Sequence, residues 1–278
     1  MRGFVDLHVH SHFSDGTLSP TQLVEKAAQA GLDAIALTDH NTVAGLPEFI
    51  CAVEDGNVRA IPGVEISAGY RGKEVHIVGL FLKPEMWDRV TDYLAVLNDR
   101  KTQSNRDLVR RLKEAGYEVD LEQLLQNAQG TVNRAVIAAK MLEKGYVSSI
   151  KEAFKGLLSE KNGYYVPPQR LDAFEVIAFL KSVDAVSVLA HPYLSLEENE
   201  IRAFLPEAKA HGLAAMETRY STYTPEITEA AIRLAKEFGI MESGGSDFHG
   251  ENKPDIQLGI GRGDLCVPAV LMEKLLEG

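Results

Sequence analysis

Two pairs of metal-binding residue types recur with the same spacing at opposite ends of this 278-residue chain. His8 and His10 stand two residues apart in an apolar segment, and Asp247 and His249 repeat that spacing near the C-terminus. In a β-strand, side chains at positions i and i+2 project from the same face, so both members of a pair can reach one ion. The spacing therefore predicts metal binding by imidazole and carboxylate groups.

Further candidate ligands follow short apolar segments or lie in a turn. They are Asp15, His40, Glu65, His76 and His191. Imidazole and carboxylate groups without a thiolate suit Mn, Fe or Zn. Six histidines and three acids in such positions are better explained by a metal site than by chance. The other two histidines, His12 and His211, are expected to be structural, with His211 at the end of a surface helix.

These residues must be positioned by alternating strands and helices. Apolar segments that predict strands occur at Phe4–Val9, Ala34–Thr38, Val58–Glu65, Val75–Leu82, Ala185–Ala190, Ala214–Thr218 and Ile240–Ser243. A helix is predicted to start at Ser19-Pro20 and stop at Gly31, and others are predicted at Pro47–Glu54, Glu197–His211 and Pro225–Phe238. The alternation indicates βαβ units and a parallel sheet, with a closed barrel favoured over an open doubly wound sheet. Because the carboxyl ends of parallel barrel strands meet at one mouth, ligands distant in sequence would converge there.

The middle of the chain has a different pattern. Between about residues 84 and 167, the sequence predicts only helices, at Trp87–Gly116, Leu121–Ala128, Arg134–Lys144 and Ser148–Leu158. The predicted organisation is a barrel formed by residues 1–84 and 167–278, with an inserted all-helical subdomain at 85–166 that covers the active site.

Composition excludes several classes of protein. The net charge of −11 argues against a broad nucleic-acid-binding surface or an anionic membrane partner, but not against a small phosphate substrate. No apolar run approaches the ~20 residues that span a bilayer, and no apolar signal region follows the N-terminus. The expected location is the cytoplasm. The two cysteines, Cys51 and Cys266, lie in apolar segments and are expected to be buried free thiols.

The ordered series of motifs resembles the polymerase and histidinol phosphatase (PHP) family of metal-dependent phosphoesterases. The matching segments are Asp6-Leu7-His8-Val9-His10-Ser11, Ser14-Asp15-Gly16, Leu37-Thr38-Asp39-His40, Gly63-Val64-Glu65, His76-Ile77-Val78-Gly79, Ala190-His191-Pro192 and Gly245-Ser246-Asp247-Phe248-His249. The resemblance implies a distorted (β/α)7 TIM-like barrel with a trinuclear metal site. It assigns His8, His10, Glu65 and Asp247 to a first ion, a bridging Glu65 with His76 and His191 to a second, and Asp15, His40 and His249 to a third.

The helical insertion is similar to that of a PHP subgroup that acts on 3′,5′-nucleotide bisphosphates and on the 5′ ends of short RNA. The resemblance implies that Arg134 helps to bind phosphate, although Val136 replaces the histidine usual in the subgroup. Lys101 and Arg106 match the subgroup pattern in part. Arg219, after a predicted strand, is a further candidate for contact with the substrate.

The resulting expectation is hydrolysis of phosphate monoesters or diesters by water activated on two or three divalent ions, with Mn preferred and Fe or Zn possible. Asp247, His191 and His249 are the candidate catalytic residues. Either histidine can donate a proton only if the third ion is absent or loosely held. The expected partner is a small phosphorylated substrate, with no extended duplex, membrane or protein partner.

Three alternatives stay open. The first is a histidinol-phosphate-type phosphatase, which the inserted helices disfavour because a small substrate needs less covering. The second is an amidohydrolase, disfavoured because no lysine stands at a strand end to bridge metals. The third is a non-catalytic PHP module, disfavoured because the ligand set is complete.

Overall fold

The computed structural model describes residues 3–53, 58–120, 124, 134–161 and 163–277. The chain divides into two compact units, one formed by Met1–Asp92 with Arg170–Gly278 and the other by Tyr93–Gln169. Apart from Leu124, the predicted helix Leu121–Ala128 lies outside the described residues.

The first unit contains a barrel-shaped sheet of seven strands, which confirms the predicted fold class. In spatial order the strands are β1 (Val5–Val9), β2 (Ala34–Leu37), β3 (Arg59–Tyr70), β4 (Lys73–Leu80), β6 (Val186–Ala190), β7 (Ala215–Tyr220) and β8 (Met241–Gly245). A two-residue strand, β5 (Leu171–Asp172), pairs with the far end of β3.

The sheet is not parallel throughout, and here the expectation from sequence was wrong. Strand β4 runs antiparallel to both of its neighbours, β3 and β6. The cause is a two-residue turn at Arg71-Gly72, where both residues have positive φ, 48° and 78°. Such a turn matches the twist of a β-hairpin and returns the chain antiparallel to the preceding strand. His76 therefore reaches the site from the amino-terminal half of its strand.

The barrel closes between its last and first strands. The Asp247 amide donates a hydrogen bond to the His8 carbonyl (2.8 Å), and the His10 amide donates to the Phe248 carbonyl (3.0 Å). At Gly245 the first and last strands approach so closely that any Cβ would overlap the backbone and the Cβ atom of His8. Glycine is therefore required at this position for closure.

Nine α-helices occur in the described residues. They are α1 (Pro20–Ala30), α2 (Leu46–Cys51), α3 (Trp87–Glu114), α4 (Arg134–Glu143), α5 (Ile150–Lys155), α6 (Ala173–Ser182), α7 (Glu198–His211), α8 (Pro225–Phe238) and α9 (Ala269–Glu277). The capping box predicted at Ser19 and Gln22 is present, and Gly31 ends α1 with φ 71°. The sequence analysis predicted neither α6 nor α9. No helix in the described part of the chain is long and apolar enough to cross a membrane.

The hydrophobic core of the first unit explains why the candidate ligands share a face. Val5 and Leu7, which alternate with Asp6 and His8 along β1, pack in a core cluster with Leu271 and Leu275 of α9. The period of two residues along a strand thus directs apolar side chains to the core and polar ones to the site.

The two cysteines correct a second expectation. Cys51 and Cys266 are both free but exposed rather than buried. Cys51 is the last residue of a six-residue helix in which Leu46 and Phe49 form the buried face. Cys266 precedes Val267, whose side chain belongs to the core, so the neighbouring side chain faces outward.

The second unit has its own hydrophobic core. Leu108 and Leu112 of α3 pack with Ile137 and Met141 of α4, and Tyr165 is also buried in this cluster. Its described residues are helical or irregular, as predicted for the middle of the chain.

Candidate metal centre

The first unit brings all nine candidate ligands into overlapping groups. Within each group, one donor atom per residue lies within 4.8 Å of every other. The groups are His8, His10 and Asp247; His8, Glu65 and His191; His40, Glu65 and His76; and His10, Asp15, His40 and His249. Residues separated by more than 230 positions in sequence therefore meet at one site.

Donor spacing in the first group matches that of ligands around a single cation. The Nε2 atoms of His8 and His10 are 3.1 Å apart, and each lies 3.3 Å from Glu65 Oε2. Asp247 Oδ1 lies 3.2 Å from the same His10 nitrogen. With bonds of about 2.1 Å, tetrahedral geometry separates neighbouring donors by about 3.4 Å.

Glu65 lies between two sets of imidazoles and is completely buried. Its Oε1 atom is 2.8 Å from His76 Nδ1 and 3.0 Å from His191 Nε2. Its Oε2 atom faces His8, His10 and, at 3.0 Å, His40 Nδ1. Each oxygen is therefore available to a different ion, as a bridging carboxylate requires.

The remaining group is more open. Asp15 Oδ1 lies 3.2 Å from His249 Nε2, and Asp15 Oδ2 lies 3.8 Å from His40 Nε2. The Asp15 side chain is 34% exposed, whereas those of His8, His10 and Glu65 are fully buried. His10 contributes to this group through Nδ1, 3.7 Å from Asp15 Oδ1.

The electrostatic environment of the cluster favours positive charge. Burial opposes protonation of His10 and His76, yet hydrogen bonds and attraction to neighbouring carboxylates raise the pKa of His10 to about 9 and that of His76 to about 10. Burial also opposes ionisation of Glu65, but the surrounding imidazoles hold its pKa well below the usual value. A cluster that favours positive charge in this way suits a bound cation.

Unpaired polar atoms support the same conclusion. Among the described residues, four buried polar side-chain atoms have no hydrogen bond of acceptable geometry, and three of them, His10 Nδ1, His40 Nδ1 and Glu65 Oε2, belong to this cluster. Buried polar atoms are otherwise nearly always paired, and an ion is one of the few explanations for an exception. The donor set, its spacing and these atoms therefore fit divalent metal ions.

Glu217 on β7 is a functional residue that the sequence analysis missed. It accepts a hydrogen bond from His8 Nδ1 at 2.8 Å and from the backbone amide of His191 at 2.7 Å. The only signal in the sequence was that Glu217 is an acidic residue inside an apolar segment that predicts a strand.

Asp247 is held by two further residues. Its Oδ2 atom accepts hydrogen bonds from the Tyr220 hydroxyl and from Lys253 Nζ, both at 2.7 Å. Its Oδ1 atom is thereby left to face the imidazoles. Lys253 stands in an irregular segment and has no motif by which sequence could identify it.

Two further acids of the motifs accept hydrogen bonds from segments that carry candidate ligands. Asp39 accepts hydrogen bonds from the Ser11 amide (2.8 Å) and the Ser14 hydroxyl (2.6 Å), and so holds the turn that presents Asp15. Asp6 accepts a hydrogen bond from the Ser246 amide (2.8 Å) just before Asp247. They position ligands without belonging to any of the four groups.

Three of the four predicted substrate contacts belong to the second unit. They are Lys101, Arg106 and Arg134. The Arg134 guanidinium lies 3.9 Å from the centroid of the Tyr165 ring and 4.0 Å from Glu160 Oε1. Arg219, in the first unit, donates to Glu242 Oε2 at 2.5 Å across strands β7 and β8.

A barrel in which nine imidazole and carboxylate groups converge on overlapping metal-binding positions is typical of a metal-dependent hydrolase. The sequence matches the PHP domain family over residues 6–168, which is more than half of the chain. The chain belongs to the PHP family, as the resemblance implied.

Similar proteins specify the chemistry of the class. The chain is 33% identical over 249 residues to a 5′-3′ exoribonuclease of Haemophilus influenzae, covering 88% of this chain and 89% of the relative. It is 31% identical over 256 residues to a phosphoribosyl 1,2-cyclic phosphate 1,2-diphosphodiesterase of Eggerthella lenta, covering 88% and 94%. A crystal structure from Bifidobacterium adolescentis, inferred to be a metal-dependent phosphoesterase, superposes with a TM-score of 0.84 at 28% identity and covers 99% of this chain and 96% of that one. The protein is therefore a hydrolase of phosphoester bonds.

Proposed function

We propose that this protein hydrolyses phosphate esters of nucleotides or short oligonucleotides, with the 5′ ends of RNA and 3′,5′-nucleotide bisphosphates as the preferred candidates. The observation that carries the proposal is the similarity to a 5′-3′ exoribonuclease along nearly the whole of both chains. The expected setting is the cytoplasm, with a small phosphorylated substrate and no extended duplex or membrane partner.

The nine groups would hold three divalent ions, with Mn preferred and Fe or Zn as alternatives. His8, His10, Glu65 and Asp247 would bind the first ion, Glu65, His76 and His191 the second, and Asp15, His40 and His249 the third. When bound, such ions acidify water and neutralise the charge on phosphate oxygens. The donor distances support this assignment. Each proposed set is covered either by one observed group or by two observed groups that share a residue.

The contacts of His191 and His249 limit which of their ring nitrogens could donate a proton to a leaving group. His249 donates its Nδ1 proton to the Asp247 carbonyl at 2.8 Å, which leaves Nε2 as the nitrogen that faces Asp15. His191 presents Nε2 to Glu65. Either residue could pass a proton to a leaving group from its Nε2 only when that nitrogen is not bound to an ion. Asp247 would serve catalysis by holding its Oδ1 atom toward the imidazoles.

Basic residues would supply the contacts to substrate phosphate. Arg134 offers a planar guanidinium that matches two phosphate oxygens, and its stacking on Tyr165 would preorganise it. Lys101 and Arg106 on α3 are weaker candidates from the same unit. Arg219 would have to leave Glu242 to reach a substrate, so it is the least favoured of the four.

A phosphate-release screen tests the proposal directly. The Mn-loaded protein would be assayed against nucleotide 5′-phosphates, 3′,5′-bisphosphates, short 5′-phosphorylated RNA, histidinol phosphate and a phosphoribosyl cyclic phosphate. Preferential turnover of the nucleotide or RNA substrates is expected. Preference for histidinol phosphate or the cyclic ester would replace the proposed substrate class, and no turnover of any ester would leave a non-catalytic module.

A further inference from the structure

We infer that Glu217 is a positioning residue shared by two metal sites, so that one carboxylate fixes a ligand of the first ion and a ligand of the second. The inference rests on the proposed assignment of ligands to ions. Its basis is that both oxygens of a single side chain, 1% exposed, are engaged by two different candidate ligands.

The contact with His8 selects the tautomer that can bind metal. Because a carboxylate oxygen can only accept, the hydrogen bond of 2.8 Å to Oε1 requires that His8 Nδ1 carry the proton. In the neutral imidazole the lone pair is then on Nε2, the atom that lies 3.1 Å from His10 Nε2 and 3.3 Å from Glu65 Oε2. Carboxylates in this position orient a metal-binding imidazole and raise its basicity.

The contact with His191 acts through the backbone. His191 has φ 28° and ψ 53°, a strained conformation that non-glycine residues rarely adopt. Its amide donates to Glu217 Oε2 at 2.7 Å, and Pro192 disfavours the right-handed helical conformation for the residue before it. Together these restraints hold the His191 side chain with Nε2 3.0 Å from Glu65 Oε1.

His8 and His191 also lie against each other, with ring centroids 5.6 Å apart. Glu65 would join the two proposed sites as a shared ligand, whereas Glu217 joins them through a ring proton on one ligand and a backbone amide on the other. Loss of Glu217 should therefore weaken both ions together. Loss of a ligand at the open group, such as Asp15, should weaken one.

Glu217→Gln is the principal test. A glutamine can accept one of the two hydrogen bonds through its oxygen but presents an NH₂ group to the other donor. We expect Mn affinity at two sites to fall by about 10–100-fold, measured by competition with a fluorescent chelator and by bound Mn per chain after dialysis at fixed free Mn. Asp15→Asn, in parallel, should lose one equivalent only.

Two further variants separate positioning from general stability. Glu217→Asp keeps the charge but is one methylene shorter and cannot span both donors, so it should also lose affinity. Glu242→Gln removes a carboxylate that pairs with Arg219 on the neighbouring strand and touches no candidate ligand, and it should bind Mn as the wild type does. A merely structural role would lower the melting temperature of the metal-free protein and leave Mn affinity unchanged.

The outcomes are distinct. Wild-type Mn affinity in either Glu217→Gln or Glu217→Asp would overturn the inference, as would loss of a single equivalent. If Glu217→Gln does not fold, as judged by circular dichroism, Glu217→Asp decides. If the wild type hydrolyses phosphate esters while Glu217→Gln binds Mn normally, only this inference fails. If the wild type binds no Mn, the proposed function fails with it.

Discussion

The buried and the open parts of the metal centre differ in how firmly the protein holds its donor atoms. His8, His10 and Glu65 are enclosed, and Glu217 restrains His8 from behind. Asp15 and His40, by contrast, are partly exposed. Preorganised donors bind an ion at a smaller entropic cost than donors that must first be ordered. The comparison predicts that an ion proposed for the enclosed part is held more firmly than one proposed for the open part.

The largest effect should come from the enclosed part. The double substitution His8→Ala, His10→Ala removes two of the four proposed ligands of the first ion and takes a member from three of the four groups. We expect bound metal and phosphoesterase activity to be lost together, as measured by elemental analysis and phosphate release. Full turnover in this variant would show that the site is assigned wrongly.

The open group should respond less. Asp15→Asn keeps the size of the side chain but removes its charge, so the third ion should be lost while the other two remain. Activity should fall by about tenfold or more, on the scale typical of perturbed metal sites. A drop in bound metal to zero would show that the two parts of the centre are not separable.

Phosphate binding can be separated from metal binding through the second unit. Arg134→Ala should raise KM for phosphate monoesters by about 10- to 100-fold, because a charge-assisted hydrogen bond contributes about 1.5–3 kcal/mol. Bound metal should not change. An unaltered KM would leave Arg134 as a residue that packs on Tyr165 and nothing more.

The smallest effect concerns pH. The pKa values of His10 and His76 are raised to about 9 and about 10 in the metal-free fold. A histidine whose pKa is raised on folding stabilises the fold fully below its unfolded value of about 6.5 and loses that contribution as pH rises through the folded value. The melting temperature of metal-free protein should therefore decline between pH 7 and pH 10.

The Mn-loaded protein provides the control for this titration. Binding of metal displaces the imidazole protons, so the same decline should be absent or reversed. If the melting temperatures of the two forms changed with pH in the same way, groups other than these histidines would dominate this pH range.

Much of the site was predictable from sequence because its geometry is local to strands. The spacing of His8 and His10 fixes a common face, and apolar neighbours identify the strand. The orientation of β4 was not predictable from apolar pattern alone, since that pattern has no direction. Its signal was the short Arg71-Gly72 turn, which leaves no room for a crossover helix.

The supporting residues were harder to predict for a different reason. Glu217 acts through a contact with a strand at the other end of the chain, and Lys253 folds back on Asp247 within one irregular segment. Neither residue lies in a recognisable motif. An isolated acid in a strand, or a lysine in a loop, has no periodicity from which its partner could be inferred. Only the folded barrel shows that these side chains end on His8 and Asp247.

The hydrogen-bonded seam between β1 and β8 has a consequence for synthesis of the chain. Asp247 and His249 are synthesised more than 230 residues after His8 and His10, the histidines with which they are grouped. A growing polypeptide therefore lacks part of every proposed site except the second until β8 and the residues that follow it dock against β1. The full proposed set of cations can bind only after that step, so chains truncated before Asp247 should remain inert.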